Sequence, residues 1–377
     1  MPNYLVHEQR FIGPATHVLA IGVGAYPHLL NGIGPLSPHN DGMRQLTSPS
    51  ASARMFASWF IERYHNPNRP LGTVSLLLSE ASRRPFTNSK SNQTVIPEIA
   101  DYTNVAAAIA NWKSLGEIDA RNLLIFYFCG HGIAQGPDIA LLLSDYGCDS
   151  NAPLDRALDF RRFRQGMARY APRQQLYFID TCRASTDTII EAFGNAGRVP
   201  IHPGQEMPAE TPVYYATLAG EEAFGMPNQV SLFTGAILKG LNGTGSDNSE
   251  GDWRVTTTRL KEAIEYHVRQ AFETGSERAQ VPPTDELTMF EIHHLLGQPE
   301  VPVMVTCEPE TENNKAEFIC EFNNRELTRR QPAPTQWSLT LNAGQYLFRA
   351  KIRNGTIRKR EKEAWVRPIY LKVRLEV

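Results

Sequence analysis

The run Leu123-Leu124-Ile125-Phe126-Tyr127-Phe128-Cys129, closed by Gly130-His131-Gly132, is one half of the pattern that decides the fold. The other half is Gln175-Leu176-Tyr177-Phe178-Ile179, closed by Asp180-Thr181-Cys182-Arg183. Both runs are short, apolar and almost free of polar alternation. That predicts strands buried on both faces, as in a parallel sheet. Residues leaving the carboxyl ends of such strands line the crevice where open α/β sheets hold their ligands. His131 and Cys182, far apart in the chain, are therefore expected to meet at one edge of one sheet.

Working outward, His17 to Gly24, Val74 to Leu78 and Val213 to Thr217 read as further strands. Helices are expected over Ala51 to Tyr64 (with Ser50 as N-cap), Asn104 to Leu115, Phe160 to Tyr170, Ser231 to Leu241 and Thr258 to Phe272. Residues 79–102 read as a loop, and Ile139 to Asp145 as a short strand near the site. Strands alternating with helices over residues 15–275 predict a doubly wound α/β domain. Gly22-Val23-Gly24 lacks the third glycine of a dinucleotide loop. The long Tyr26 to Pro49 loop carries His28, His39 and Asp41, but their spacing fits no common metal-ligand pattern.

From Val301 onward the composition changes to short strands and turn residues. Val301 to Cys307, Ala316 to Phe322, Trp337 to Leu341, Tyr346 to Ile352 and Tyr370 to Val377 read as strands. Asn342-Ala343-Gly344 and Asn354-Gly355 read as hairpin turns. The expected organisation is an α/β domain over 1–298, with an exposed linker at about 183–211, and a small sandwich-like all-β domain over 299–377. That second domain is basic, with Arg325, Arg329, Arg330, Arg349, Lys351, Arg353, Arg358, Lys359 and Arg360. A basic face is either solvated strand surface or a place for an anionic small-molecule signal or partner.

The chain has 377 residues, 41% of them hydrophobic, and a formal net charge of −2, so nucleic acid is not an expected partner. Its five cysteines are odd in number and irregularly spaced, which argues against a disulfide framework. Cys307 and Cys320 are read as small core hydrophobes on adjacent strands. No basic cluster with an apolar signal core opens the chain, and no apolar run has membrane-spanning length. The expectation is a cytoplasmic protein with no membrane contact. Monomer and homodimer both stay open.

The chemistry follows from the two strand ends. A cysteine attacks as thiolate, and an imidazole can take its proton and later protonate a leaving amine. Glycines on both sides of His131 let backbone approach a substrate, and the N–H groups of Gly132 and Cys182 are candidates for an oxyanion hole.

Phe128-Cys129-Gly130-His131-Gly132 and Ile179-Asp180-Thr181-Cys182-Arg183 resemble the two catalytic segments of the caspase and metacaspase clan. His131 precedes Cys182 by 51 residues, near the caspase separation of about 50. Ala216 to Gly220 with Ala223-Phe224-Gly225 is similar to the segment that pairs with substrate backbone, and Ser231 to Gly235 to the helix after it. The resemblance covers about residues 15–295. It implies a doubly wound caspase-like sheet and a Cys-His endopeptidase needing no cofactor. Metacaspases and their Arg- or Lys-directed relatives carry an aspartate at the position of Asp180, in the pocket for the residue before the cut. Gly225 stands about where caspases place an aspartate-reading arginine. Cleavage after Arg, or Lys, is therefore the expectation, with Glu221, Glu222 and Asp41 as further pocket candidates. No acidic cluster matches a calcium site, so calcium and other metals are not expected. Similar bacterial proteins act in antiphage or stress pathways, some under a small nucleotide signal. The alternatives are a catalytically silent scaffold or sensor and a non-peptidase acyl transferase.

Overall fold

The structure is a computed structural model and describes residues 2–135, 138–170, 172–181, 209–216, 228–272, 282–354 and 356–377. The chain falls into two compact units: Met1–Leu238 with His267–Phe290, and Lys239–Tyr266 with Glu291–Val377.

In the first unit the strands are, in order, β1 (Leu5–Glu8), β2 (Thr16–Val23), β3 (Leu71–Ser79), the short β4 (Phe86–Thr87) and β5 (Thr94–Val95), β6 (Leu123–Gly130), β7 (Gly132–Gln135), β8 (Asp138–Leu142), β9 (Ala157–Asp159), β10 (Gln174–Thr181) and β11 (Val213–Tyr215). Helices α1 (Ser48–Arg63), α2 (Tyr102–Gly116), α3 (Phe160–Met167) and α4 (Leu232–Lys239) alternate with them. The remaining strands of the chain that precede the C-terminal region are β12 (Ser246–Asp247), β13 (Arg254–Thr256), β14 (Thr284–Asp285) and β15 (Glu291–His294).

The central sheet has seven strands in the order β1-β3-β2-β6-β10-β11-β14. β3, β2, β6, β10 and β11 are parallel neighbours, and antiparallel β1 and β14 close the edges. The two runs that open the sequence reading are adjacent central strands, in register from Gln174 against Leu123 to Thr181 against Gly130. Every residue of β2, β3 and β6 is buried, the burial pattern a doubly covered parallel sheet produces.

The two sheet faces use alternate residues of the same strands. On one face, Phe56 of α1 stacks on Tyr127 at 4.4 Å between ring centroids and meets Phe178 edge-on at 5.7 Å. On the other, Phe126 packs against Phe163 of α3 at 5.2 Å and Trp112 of α2 at 6.1 Å. Asp101 and Asp159 start α2 and α3 by accepting the backbone N–H groups of Asn104 and Arg162. The predicted cap of α1 is displaced. Thr47 holds the N-cap position with Pro49 in the first turn, while Ser50 lies inside the helix and its hydroxyl donates to the Ser79 carbonyl.

In the second unit, β16 (Glu300–Glu308), β17 (Ala316–Phe322), β18 (Arg325–Arg330), β19 (Trp337–Asn342), β20 (Gly344–Asn354), β21 (Thr356–Val366) and β22 (Leu371–Glu376) form two sheets, β19-β16-β22 and β18-β17-β20-β21. Val303 and Val305 of the first sheet share one core with Phe318 and Phe348 of the second. β12, β13 and β15 form a three-stranded sheet, and α5 (Thr257–Phe272) follows β13.

Two sequence expectations fail in this unit. Asn342-Ala343-Gly344 is no hairpin turn, since β19 pairs with β16 while β20 pairs with β17 and β21. The chain changes sheets there, and the Ala343 N–H is taken by the Pro299 carbonyl. Cys307 and Cys320 lie on β16 and β17, in different sheets rather than on adjacent strands; both are buried and free. β18 and β21 are too densely charged for an apolar-run reading to find. Each closes an end of its sheet, and charge on an end strand discourages pairing with another chain.

Candidate functional site

The connections place the site. From β2 the chain passes through α1 to β3 on one side, then through α2 to β6 on the other side of β2. β2 and β6 therefore flank a topological switch point, and the crevice of an open α/β sheet opens at the carboxyl ends of such a pair. Tyr26 follows β2, and His131 follows β6.

These two residues are joined. The His131 backbone N–H donates to the Tyr26 hydroxyl at 2.8 Å, and that hydroxyl donates onward to the Leu142 carbonyl at 3.2 Å. The rings lie 5.0 Å apart between centroids. Gly130 makes room for this, because a Cβ there would sit 2.8 Å from the Tyr26 hydroxyl oxygen. Tyr26 is in turn clamped by Gln45, which accepts its N–H at 2.8 Å and donates to its carbonyl at 2.9 Å and to the Leu30 carbonyl at 3.1 Å. The long Tyr26 to Pro49 loop is thus tied back onto itself near His131.

That clamp also presents the Arg44 carbonyl to His131 Nε2 at 2.7 Å. A carbonyl only accepts, so Nε2 carries the ring proton and Nδ1 is left with the lone pair. Burial lowers the His131 pKa, with the Arg44 hydrogen bond pulling the other way. The half-buried ring is therefore held as a neutral imidazole with a defined basic nitrogen.

Asp180 sits on the α1 face of β10, only 3% exposed. Its Oδ2 accepts from the Ser231 hydroxyl and, at 2.6 Å, from the Thr234 hydroxyl. Tyr127 Oη is 2.6 Å from Thr234 Oγ1 and 3.3 Å from the same Oδ2. Tyr127 has one proton, and the shorter contact makes a relay from Tyr127 through Thr234 to Asp180. Burial raises the Asp180 pKa, while the hydrogen bonds from Ser231 and Thr234 restrain the rise. Burial, with the Asp180 charge added, pushes the Cys129 thiol well above its ordinary value, so Cys129 is no thiolate nucleophile.

The remaining candidates separate. Gly132 opens β7 and pairs with Leu141 of β8. Asp41 lies exposed at a turn with φ 45°, and its charge is felt by Tyr146. Cys182, Glu221, Glu222, Ala223, Phe224 and Gly225 lie outside the described residues, as does nearly all of the 183–211 linker. His28 and His39 face the carbonyls of Pro35 and Ser150, at 2.9 and 3.0 Å. Among the described residues no group of three or more His, Cys, Asp or Glu could hold a metal ion, and no helix is long and apolar enough to cross a membrane.

Sequence reading missed Tyr26, the Arg44 carbonyl, Gln45 and the hydroxyls around Asp180. Only Tyr26 had a signal, as an aromatic in a Gly- and Pro-rich loop directly after a buried strand. In the basic C-terminal region, Arg329 pairs with Glu317 and Glu326, and Arg349 with Glu321 and Glu361. Arg330 donates to the Thr335 and Ala333 carbonyls and lies over the Phe318 ring. Two of the nine basic residues named in the sequence, Arg329 and Arg349, are thus matched by glutamates.

Comparison with known proteins adds three findings. A family model described as the caspase domain matches residues 40–293. An uncharacterized protein, y4kE of Sinorhizobium fredii (strain NBRC 101917 / NGR234), is 27% identical over 212 residues, covering 54% of this chain. The match spans 59% of that relative's length. The crystal structure of caspase-1 from Spodoptera frugiperda aligns over 76% of this chain and 90% of its own, at 12% identity and a TM-score of 0.41.

Proposed function

The chain belongs to the caspase family, and from that premise we propose that it is a cysteine endopeptidase cutting protein substrates after Arg or Lys. Cys182 is the nucleophile and His131 its base. The observation that carries this reading is the His131 tautomer, with Nε2 donating to the Arg44 carbonyl and Nδ1 left as proton acceptor. The sheet register supports it: Thr181, which precedes Cys182, is the partner of Gly130, which precedes His131.

In the proposed reaction the Cys182 thiol gives its proton to His131 Nδ1, and the thiolate attacks the scissile carbonyl. The oxyanion is held by the N–H groups of Gly132 and Cys182. Collapse expels the amine, which takes the proton back from His131, and leaves a thioester. Water, deprotonated by His131, then releases the acid and restores the thiol.

Asp180 is proposed as the floor of the pocket for the residue before the cut. With Oδ2 held by hydroxyls from Ser231 and Thr234, the carboxylate is fixed in one orientation toward an incoming guanidinium. Ala223, Phe224 and Gly225 pair with substrate backbone, and Glu221, Glu222 and Asp41 are secondary readers of positive charge. We place this activity under a signal, in bacterial defence or stress. The 299–377 region is its regulatory module, with a small nucleotide as candidate activator.

The test offers the purified full chain fluorogenic peptides with Arg, Lys or Asp before the cut, beside a Cys182→Ala control, with and without nucleotides and calcium. Turnover of the Arg or Lys peptide that the control abolishes is expected. No turnover under any condition rejects the peptidase and favours the scaffold. Preference for Asp rejects the pocket assignment alone.

A further inference from the structure

A cavity of about 370 Å³ lies where the starts of β2 and β3 meet the end of α2, the opposite end of these strands from Tyr26 and His131. Its apolar walls come from two segments. Phe11 and Ala15 belong to the connection from β1 into β2, and Leu115 and Ile118 to the end of α2 and the residues just after it. Ile118 is 75% exposed and Phe11 38%, so the apolar lining reaches the surface.

The polar lining is almost wholly committed. Asn122 is buried, and its side chain accepts the Ala15 N–H at 2.7 Å and donates to the Leu115 and Gly116 carbonyls at 3.1 and 3.2 Å. Glu8 and Arg10 pair with each other at 3.2 Å, so their charges cancel at the rim. Thr73 and His17 are register partners on β3 and β2, with the Thr73 hydroxyl 3.0 Å from His17 Nδ1. His17 is 6% exposed, and its carbonyl accepts the Trp112 indole N–H at 2.9 Å, which fixes the residue at the cavity floor. Desolvation lowers its pKa to about 4, so the ring is neutral at neutral pH. His17 Nε2 makes no hydrogen bond among the described residues, and it is not sealed inside the protein. The cavity is what it faces.

We propose that this cavity binds a small neutral aromatic alcohol, its ring against Phe11, Leu115 and Ile118 and its hydroxyl on His17 Nε2. The Thr73 hydroxyl can donate to Nδ1 or accept from it, so Nε2 carries either the lone pair or the proton. A ligand hydroxyl both donates and accepts, and it satisfies either tautomer. A carboxylate or an ammonium brings an unpaired charge into a site whose own charges already cancel, and desolvating that charge is costly. A flat ring packs on Phe11 by its edge or its face. The volume is that of a small-molecule pocket.

The proposal does not depend on peptidase activity, and its test reads binding. Para-cresol is titrated into the full-length protein and followed by ligand-observed saturation-transfer NMR. Toluene, which lacks the hydroxyl, and benzoate, which carries a charge, are separate arms. Saturable cresol binding is expected, about tenfold tighter than toluene, the worth of one hydrogen bond to a buried group. Ile118→Asp puts a charge on the apolar wall and weakens cresol at least about tenfold. The position is exposed, so this variant keeps its fold, checked by an unchanged near-UV spectrum. His17→Phe brings cresol down to the toluene level; if that variant does not fold, the toluene arm on the parent protein tests the same contact. Leu327→Asp, exposed in the other unit, leaves binding as it was. Absence of saturable cresol binding, an unaffected Ile118→Asp variant, or equal loss in Leu327→Asp overturns the site. Toluene binding as tightly as cresol overturns the His17 contact, and benzoate binding as tightly overturns the neutral class.

Discussion

Replacing Tyr26 with Phe removes one oxygen atom and nothing else. Tyr26 is fully buried, so no bulk water takes that oxygen's place. Two backbone groups lose a partner: the His131 N–H, 2.8 Å away, and the Leu142 carbonyl, 3.2 Å away. A buried polar group left unsatisfied costs about 1–3 kcal/mol, and a shared relaxation of the two keeps the total in about that range. The first unit should therefore lose about 1–3 kcal/mol in urea-induced unfolding followed by tryptophan fluorescence. The freed His131 backbone also loosens the ring, so kcat/KM on the best peptide should fall by about tenfold, equivalent to about 1.4 kcal/mol of transition-state stabilisation. A Gln45→Leu variant attacks the same clamp through the Tyr26 backbone. Groups in one network do not add, so the double variant should depart from the sum by about 0.5 kcal/mol or more. A Tyr26→Phe protein within about 0.5 kcal/mol of the parent, with unchanged kcat/KM, would refute the argument that this hydroxyl ties β2 to His131.

Gly130→Ala should act on the same contact by crowding, because its Cβ would lie 2.8 Å from the Tyr26 hydroxyl; a loss of about 1–3 kcal/mol in the same unfolding assay is expected. His17 is buried with its pKa lowered to about 4 by desolvation, against about 6.5 in an unfolded chain. The unfolded state therefore binds the proton more readily, and stability falls as pH drops from about 6.5 to about 4, by about 3 kcal/mol for this group. His17→Gln should flatten that part of a pH–stability profile, and an unchanged slope would remove His17 as its cause. Ser231→Ala withdraws one donor from Asp180 and the hydroxyl that accepts the Thr234 N–H. It should cost about 1–3 kcal/mol at pH 7. The Asp180 pKa is raised in the folded state, so stability from its protonated form is lost as pH rises through that pKa. The Ser231→Ala penalty should accordingly shrink as pH falls through the raised Asp180 pKa, and a pH-independent penalty would contradict the donor argument.

Much of the sheet was legible in the chain. Leu123–Cys129 and the centre of the second strand, Leu176–Ile179, are unbroken apolar runs, and only a strand covered on both faces can bury such a run. Helices α2 and α3 were readable as an Ala-rich and a short basic stretch, with ends displaced by three residues at most. The segments at the ends of those two strands also resemble those of the caspase clan, and the caspase-domain model matches residues 40–293. What failed was long-range or neutral in pattern. Asn342-Ala343-Gly344 reads as a tight turn locally, yet the chain changes sheets there, because the core between the sheets decides which partner each strand takes.

By itself the sequence determined the buried central strands and the helices between them, because apolar runs and strand-end residues are local properties of a chain; the edge strands β1, β18 and β21 and the short β4 and β5 carry no such signal. It also determined which chemistry the strand ends could carry. Only the tertiary structure decided how that chemistry is held. The partner of His131 Nε2 is a backbone carbonyl, and every residue has one, so no residue type at position 44 could announce it. The hydroxyls on Asp180 come from β6 and from the start of α4, 51 to 54 positions away, and serine and threonine are equally common on a solvated surface. Position in space, set by the register of β6 against β10 and the packing of α4 beneath them, turned ordinary residues into a defined base and a fixed carboxylate.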